Sequence, residues 1–154
     1  MKLLLACVAA FIVVCRASYY GQSLVTSCEG EYNFTEVTLQ NCNETCVVSA
    51  GSPLHLNFTG RNHEEHPVNV SVWAHIRSLN HTWDSFYYNS TCENKENKFP
   101  CTAAPGQTIT GQVKIDIPKD FKKAFTSLYF YLDGIGCAII RIIVSTLPSE
   151  KSSV

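Results

Sequence analysis

Residues 66–76, HPVNVSVWAHI, alternate apolar and polar side chains with a period of two. A β-strand with one buried face has this period, because successive side chains point to opposite faces of a sheet. The stretch therefore predicts a half-buried strand and favours an all-β fold. The face predicted to point inward consists of Val68, Val70, Val72, Ala74 and Ile76.

The polar face of this strand carries Asn69, which begins an Asn-x-Ser/Thr glycosylation sequon. Residues 54–58, LHLNF, repeat the arrangement with the sequon Asn57 on the polar face. An occupied sequon must face solvent, because a glycan cannot enter a core. The two signals are independent, and their agreement supports both strands. The chain has six sequons, and the predicted glycosylation sites are Asn33, Asn43, Asn57, Asn69, Asn80 and Asn89.

Further segments show strand patterning, namely residues 36–39, 112–117, 127–132 and 138–144. Turn formers separate the strands, among them Pro105-Gly106 and Asp133-Gly134. No segment keeps a 3.6-residue period, so no helix is predicted. Several short strands at this spacing predict a sandwich or a barrel.

The composition suits one domain with a buried core. Of the 154 residues, 45% are hydrophobic and 16% are charged, and the formal net charge is -1. These values argue against disorder. Because no block of basic residues occurs, nucleic-acid binding is not expected.

Residues 1–17 predict a cleaved secretory signal peptide. Met1-Lys2 is followed by an apolar run of twelve residues and then by the small residue Ala17. The run is too short to span a membrane. Residues 18–154 are then the mature domain, and its polar C-terminal end favours soluble secretion. Lysosomal delivery after secretion stays open.

The mature domain retains six cysteines: Cys28, Cys42, Cys46, Cys92, Cys101 and Cys137. An even number in a secreted chain predicts a disulfide framework, for which fifteen pairings are possible. Proximity favours the second with the third and the fourth with the fifth, which leaves the first to meet the sixth. A zinc site is disfavoured, since there is no C-x2-C pair and the secretory context favours oxidation.

The sequence offers few motifs that are typical of enzymes. Residues 63–66, HEEH, resemble a metal-binding run but lack the H-E-x-x-H spacing, and we interpret them as a solvated loop. No G-x-S-x-G elbow or phosphate-binding glycine loop occurs. The sequence therefore predicts no catalysis, no metal and no cofactor.

Two stretches fit a plain core less well. Residues 83–88, WDSFYY, look like a loop with four aromatic side chains. Residues 117–123, IPKDFKK, place Phe121 beyond a strand end among three lysines. Apolar rings in loops at the edge of a sandwich predict the mouth of a cavity between the sheets. As a hypothesis, Lys119, Lys122 and Lys123 attract an anionic headgroup or membrane surface near this mouth.

The cysteines and neighbouring motifs occur in a specific order: Cys28, Cys42-x3-Cys46, Gly51 before a strand, Asn57-Phe58-Thr59, Cys92 and Cys101, and Cys137-Ala138-Ile139. This order and spacing resemble the ML lipid-recognition domain from Cys28 to Leu147. The resemblance implies an immunoglobulin-like β-sandwich of two antiparallel sheets that part slightly to hold a lipid. It also implies three disulfides, 28–137, 42–46 and 92–101.

The resemblance places pocket residues near Leu39, Ile117, Phe121 and Phe130. The full predicted lipid-binding set is Leu39, Phe58, Val70, Val72, Phe86, Ile115, Ile117, Phe121, Phe130 and Ile140. Residues 83–88 lack the prolines of the corresponding family loop, so sterol, fatty acid, phospholipid and glycolipid all stay open as ligands. A transient membrane or receptor contact is compatible with such a carrier. The alternative function is an extracellular protein-recognition module with a filled core.

Overall fold

The computed structural model describes residues 24–42, 45–79, 85–122 and 124–146. The predicted signal peptide lies outside the described residues. No helix long and apolar enough to cross a membrane occurs within these ranges. The strands, in chain order, are β1 (Val25–Ser27), β2 (Glu36–Leu39), β3 (Val47–Ser49), β4 (Pro53–Arg61), β5 (Val68–Asn69), β6 (Ser71–Ser78), β7 (Ser85–Thr91), β8 (Thr102–Ala103), β9 (Thr108–Asp116), β10 (Ala124–Leu132) and β11 (Gly136–Ser145).

Two sheets form the layers of a sandwich. The large sheet has the order β1-β11-β10-β6-β7, with β3 also paired to β11. The small sheet has the order β2-β4-β9, and β5 and β8 form a separate ribbon. All strand pairs are antiparallel except β3 with β11. This parallel pair forms where the chain leaves the small sheet after β2, joins the large sheet as β3 and returns to the small sheet as β4. The predicted immunoglobulin-like sandwich is confirmed, with one parallel pair at its edge.

The sandwich has two ends, which its turns define. At the near end, the chain passes from β9 of the small sheet to β10 of the large sheet through a turn that begins at Ile117. At the far end, β10 and β11 form a hairpin through the predicted turn Asp133-Gly134. Gly134 has a φ of 67°, a conformation that glycine adopts without a steric penalty.

The structure divides the strand predicted over residues 66–76. β5 and β6 lie on either side of Val70, whose N–H donates to the carbonyl of Cys101 at 2.9 Å. Because β5 pairs with β8, the ribbon draws residues 68 and 69 away from the large sheet. β2 has the predicted bounds, and the other predicted segments fall within β4, β9, β10 and β11, apart from Ile117, which follows β9.

The aromatic segment interpreted as a loop is a strand from residue 85 onward, and that interpretation is wrong for β7. This strand pairs with β6 at the edge of the large sheet. Phe86 and Tyr88 are half-buried whereas Tyr87 is exposed, so the period of two continues here with aromatic side chains, which favour strands. Trp83 and Asp84 lie outside the described residues.

The inner faces of the two sheets share one hydrophobic core. Burying each large apolar side chain contributes about 1.5–3 kcal/mol, which makes this core the main source of stability. The largest fully buried side chains are Phe130, Leu56, Ile76, Ile115, Ile117, Leu128, Leu132, Ile135, Ile140, Ile142, Val72 and Val113.

The three disulfides that the resemblance implies are confirmed. The bond between Cys28 and Cys137 spans 109 residues and lies within the large sheet, between the end of β1 and β11. The other two bonds close short segments, with sequence separations of 4 and 9 residues. Neither of these two bonds is a long-range covalent link between the two layers. Three disulfides are typical of a chain that folds in an oxidising compartment.

Candidate functional site

The turn after β9 builds the near end of the sandwich. The N–H of Ile117 donates to the carbonyl of Ser52 at 3.1 Å, and its own carbonyl accepts from the N–H of Gly51 at 2.9 Å. The N–H of Phe121 donates to the carbonyl of Pro118 at 3.2 Å. With the backbone held in this way, Ile117 and Phe121 are both buried and belong to the core.

Six of the ten predicted lipid-binding residues lie in the near half of the core. The strand register places Phe86 and Ile140 in one row across the inner face of the large sheet, together with Ile76 and Leu128. Of the six, only Phe86 is half-buried rather than buried. The six residues are Leu39, Phe86, Ile115, Ile117, Phe121 and Ile140.

The other four predicted residues lie toward the far end, so the structure does not gather all ten into one cluster. Val72 pairs with Leu132 at the last rung before the far hairpin. The rings of Phe58 and Phe130 are 5.7 Å apart between centroids and join the two layers. This ring pair separates the near half of the core from the residues toward the far end. The four residues are Phe58, Val70, Val72 and Phe130.

Short side chains line the inner face of the large sheet closest to the near end. Thr126 of β10 pairs directly with Ser78 of β6, and both are buried, as is Ala124. The hydroxyl of Thr126 donates to the carbonyl of Ala124 at 3.1 Å, which leaves its oxygen able to accept a hydrogen bond. The near half thus has apolar walls and hydroxyl groups at one margin.

Phe34 and Phe99 complete an aromatic cluster that the sequence analysis missed. The ring of Phe34 lies 5.3 Å from that of Phe130 and 5.7 Å from that of Phe58, and the Phe99 ring lies 6.3 Å from that of Phe58. Neither residue belongs to an alternating segment. Phe34 is the middle residue of a sequon and Phe99 follows a polar loop, so only their aromatic character marks them.

Two clefts open along the side of the sandwich where β1 and β3 border β11. One, of about 340 Å³, lies between β1 and β2, and its lining includes Val25, Phe34 and Val37. The other, of about 210 Å³, lies between β3 and β4 and reaches Val48 and Leu54. Ligand pockets span roughly 300–1,000 Å³, so the first cleft is at the lower bound of that range.

Asn97 closes the opposite side of the sandwich. Its Nδ2 donates to the hydroxyl oxygens of Tyr88 at 2.9 Å and Ser90 at 2.7 Å, both on β7 of the large sheet. Its Oδ1 accepts from the N–H of Lys114 at 2.9 Å, on β9 of the small sheet. One buried amide therefore joins the two layers at this edge. The two clefts lie on the other side, where the N–H of Cys137 on β11 donates to the carbonyl of Tyr32, just before β2, at 2.8 Å.

The predicted glycosylation sites differ in exposure. Asn57 is half-buried on the outer face of the small sheet, beside a polar cleft of about 530 Å³ that includes Thr38 and Gln112 in its lining. Its Oδ1 is buried without a hydrogen-bond partner among the described residues. Asn33, Asn69 and Asn89 are exposed, and Asn43 and Asn80 lie outside the described residues.

Residues 63–66 form a loop between β4 and β5, as predicted. Buried Asn62 organises it, since its Nδ2 donates to the carbonyls of His66 at 3.1 Å and Ala103 at 2.9 Å, while its Oδ1 accepts from the N–H of Glu64 at 2.9 Å. No group of three His, Cys, Asp or Glu residues that could hold a metal ion occurs in the part of the chain that the structure describes.

The sandwich matches the crystal structure of a Niemann-Pick type C2 protein from the Japanese carpenter ant, with a TM-score of 0.61. The match covers 80% of this chain and 100% of that chain, at 14% sequence identity. The chain has the fold of a Niemann-Pick type C2 protein. The resemblance to the ML domain is thereby confirmed at the level of the fold.

No protein-family model and no curated protein matches the chain, so the Niemann-Pick type C2 fold is shown by the comparison of structures. A second solved structure, an alkylpurine DNA glycosylase from Pseudomonas fluorescens bound to DNA with an abasic-site analogue, matches with a TM-score of 0.48 and 11% identity. That match covers 79% of this chain and 30% of that chain, and at this score it carries no argument.

Proposed function

We propose that this protein is a secreted glycoprotein that binds and carries a lipid, such as a sterol or a fatty acid, between its two sheets. Three features support the proposal: the Niemann-Pick type C2 fold, the disulfides of an oxidising compartment, and the signal peptide predicted over residues 1–17. The protein acts by binding, without catalysis.

The lining of the near half carries this proposal. Ile115 of the small sheet, Ile117 in the turn after β9 and Ile140 of the large sheet are aliphatic and buried, and buried Phe121 belongs to the same core. The hydroxyls beside this lining, including that of Thr126, suit a ligand with an apolar body and one polar group. Such a ligand is a sterol or a fatty acid rather than a hydrocarbon.

A ligand in this position must separate the two layers, because the lining residues are packed together in the structure. Burying roughly 400 Å² of apolar surface gains about 10 kcal/mol before costs. Association entropy and the separation of the layers offset much of this gain. We expect the layers to part at the near end on the side of the two clefts. The hydrogen bond from Cys137 to Tyr32 on that side lies toward the far end, and Asn97 holds the opposite edge.

The close packing of the core favours a second candidate function, an extracellular protein-recognition module. In that case the near half stays filled by its own side chains, and a partner protein binds the outer surface. The two functions differ in whether the purified protein contains an extractable lipid.

Organic extraction of the secreted protein, followed by mass spectrometry, tests the proposal. We expect about one molecule of lipid per protein chain in a preparation from a lipid-containing eukaryotic host. An immunoglobulin constant domain secreted by the same host is the matched control, because it is a disulfide-bonded sandwich with a filled core. Extracts of the two proteins with the same lipid content would contradict the carrier function and favour the recognition module.

A transient contact with membranes would let a carrier exchange its ligand, and the near end carries suitable groups. Val47, Phe125 and Leu79 are exposed on this side of the large sheet, and the register aligns Val47 and Phe125 with Ile143. Lys119 and Lys122 are exposed in the adjoining turn, while Lys123 lies outside the described residues. Basic and apolar groups side by side favour binding to a membrane surface that contains anionic lipid.

Replacing Lys119, Lys122 and Lys123 with alanine is expected to weaken binding to vesicles that contain anionic lipid. Each lysine near such a surface contributes about 1 kcal/mol, and the effect shrinks as salt is added. Co-sedimentation at low and high salt measures it. The matched control replaces Lys95 and Lys98, which are exposed in the segment between β7 and β8 rather than in the turn after β9. Equal vesicle binding by the triple variant and the original chain would show that these lysines do not contribute to membrane contact.

A further inference from the structure

The outer face of the large sheet carries exposed aromatic side chains that neither core nor ligand lining uses. Tyr87 is 73% exposed, Trp73 is 50% exposed and Tyr129 is 39% exposed. The strand register places Tyr87, His75 and Tyr129 in one row across β7, β6 and β10. Trp73 and Tyr131 are paired in the next row. We call these five residues the aromatic face.

The rings of the first row of the aromatic face are already ordered by stacking on one another. The rings of His75 and Tyr87 stack with centroids 4.2 Å apart and planes within 3°, and the Tyr129 ring lies 6.1 Å from that of His75. The Nε2 of His75 is buried without a hydrogen-bond partner among the described residues. Burial, with a smaller effect of Arg77, lowers the pKa of His75, so this ring is neutral at neutral pH. The ring of His75 is therefore uncharged, and this row turns ring edges outward, because rings stacked across neighbouring strands face one another.

Asn89 lies directly beside this face. It belongs to β7, where it pairs with Trp73, and it is exposed at the edge of the sheet. Tyr87 precedes it by two residues on the same side of the strand, and Thr91 completes its sequon. Directly opposed residues of antiparallel strands have Cβ atoms about 5 Å apart. A sugar attached to Nδ2 of Asn89 thus starts within contact distance of Trp73.

An N-linked glycan has the chemistry to cover this face. Its first residues are β-linked N-acetylglucosamines, whose axial C–H groups form an apolar surface that packs on the negative face of an aromatic ring. Neighbouring strands are about 4.8 Å apart, close to the length of one sugar ring. Successive sugars can therefore step from β7 over Trp73 on β6 toward Tyr131 and Tyr129 on β10.

We propose that a glycan on Asn89 folds back over the aromatic face, with its first N-acetylglucosamine on Trp73. The proposal rests on the proposed function, because it needs the chain to be a secreted glycoprotein. A tethered glycan is favoured over a free carbohydrate or a partner protein, since its attachment gives it a high effective concentration at the face. The glycan shields an apolar patch that would otherwise be open to association.

The test combines two substitutions, made in the full chain secreted from a eukaryotic host. Peptide mass spectrometry first measures the occupancy of Asn89. Asn89→Gln is expected to lower Tm by about 3 °C in the original chain, but by less than about 1 °C when Trp73→Ser is also present. Trimming the glycan to a single N-acetylglucosamine is expected to keep most of the stabilisation. In NMR spectra of the trimmed protein, the acetyl methyl signal is expected to move upfield, and Trp73→Ser is expected to abolish that displacement.

Asn69→Gln is the matched control, because Asn69 is an exposed sequon whose strand partner is Thr102. Its effect is expected to be the same with and without Trp73→Ser. An unoccupied Asn89, or equal losses from Asn89→Gln in both backgrounds, overturns the inference.

Lipid extraction from the same preparations separates this inference from the proposed function. If the protein releases lipid but Asn89→Gln lowers Tm equally with and without Trp73→Ser, the glycan contact alone is contradicted. If the Tm loss from Asn89→Gln depends on Trp73 but no lipid can be extracted, the glycan contact is supported and only the carrier function is contradicted.

Discussion

Replacing Cys28 and Cys137 together with alanine is expected to lower the free energy of unfolding by about 4–5 kcal/mol. The bond closes a segment with a sequence separation of 109 residues, so its loss restores a large conformational entropy to the unfolded chain. Because domains of this size are stable by only about 5–15 kcal/mol, the variant loses a large part of its stability. Denaturant unfolding without reductant measures the change.

Replacing Cys42 and Cys46 with alanine is the matched control for this prediction. That bond has a sequence separation of only 4 residues, and the chain-entropy relation assigns it about 2 kcal/mol. The long bond is therefore expected to cost more by about 3 kcal/mol. Equal losses for the two variants would show that restriction of the unfolded chain does not account for the effect.

Ile117→Trp is expected to reduce uptake of a fluorescent sterol or fatty acid by about tenfold or more, a change of at least about 1.4 kcal/mol. Ile117 is 2% exposed at the near end, where the larger ring system would occupy the space proposed for the ligand. Phe121→Ala is expected to weaken uptake as well, because it removes an aromatic wall of the same space. Titration of the fluorescent lipid measures both variants, and circular dichroism checks that the fold persists.

Ile109→Trp provides the matched control for the near end. Ile109 lies on β9 like the residues before Ile117 and is 3% exposed, but it is toward the far end. Overpacking is expected to cost each tryptophan variant about 1–3 kcal/mol of stability. Only Ile117→Trp is expected to lose uptake. Unchanged uptake by both Ile117→Trp and Phe121→Ala would mean that the ligand does not enter at the near end.

Much of the fold follows from local sequence patterns. The period of two predicted β2 with its observed bounds and most of β4, β10 and β11, because each of these strands has one face in the core and one in solvent. The cysteine order predicted the three disulfides through a family resemblance. β7 was misjudged, since a run of aromatic residues suits either a mouth loop or a strand whose exposed face is also aromatic.

The candidate site was predictable only in part. Ile117 and Phe121 were placed at a strand end by sequence, and the structure puts both there in the near half of the core. The separation of this half from the far residues depends on the contact between Phe58 and Phe130, which lie 72 positions apart in the sequence. No local pattern encodes such a long-range contact. Whether a lipid binds there stays a prediction.

The sequence by itself determined which residues of the alternating strands face inward, since alternation within a strand needs no knowledge of its neighbours. Tertiary structure alone decided which strands are neighbours and in what register. That choice aligns Tyr87, His75 and Tyr129 into one row and sets Asn89 beside Trp73. It also leaves one side of the sandwich cleft and the other tied by Asn97. The physical reason is that strand pairing is a long-range choice, made by the packing of the whole core rather than by any single segment.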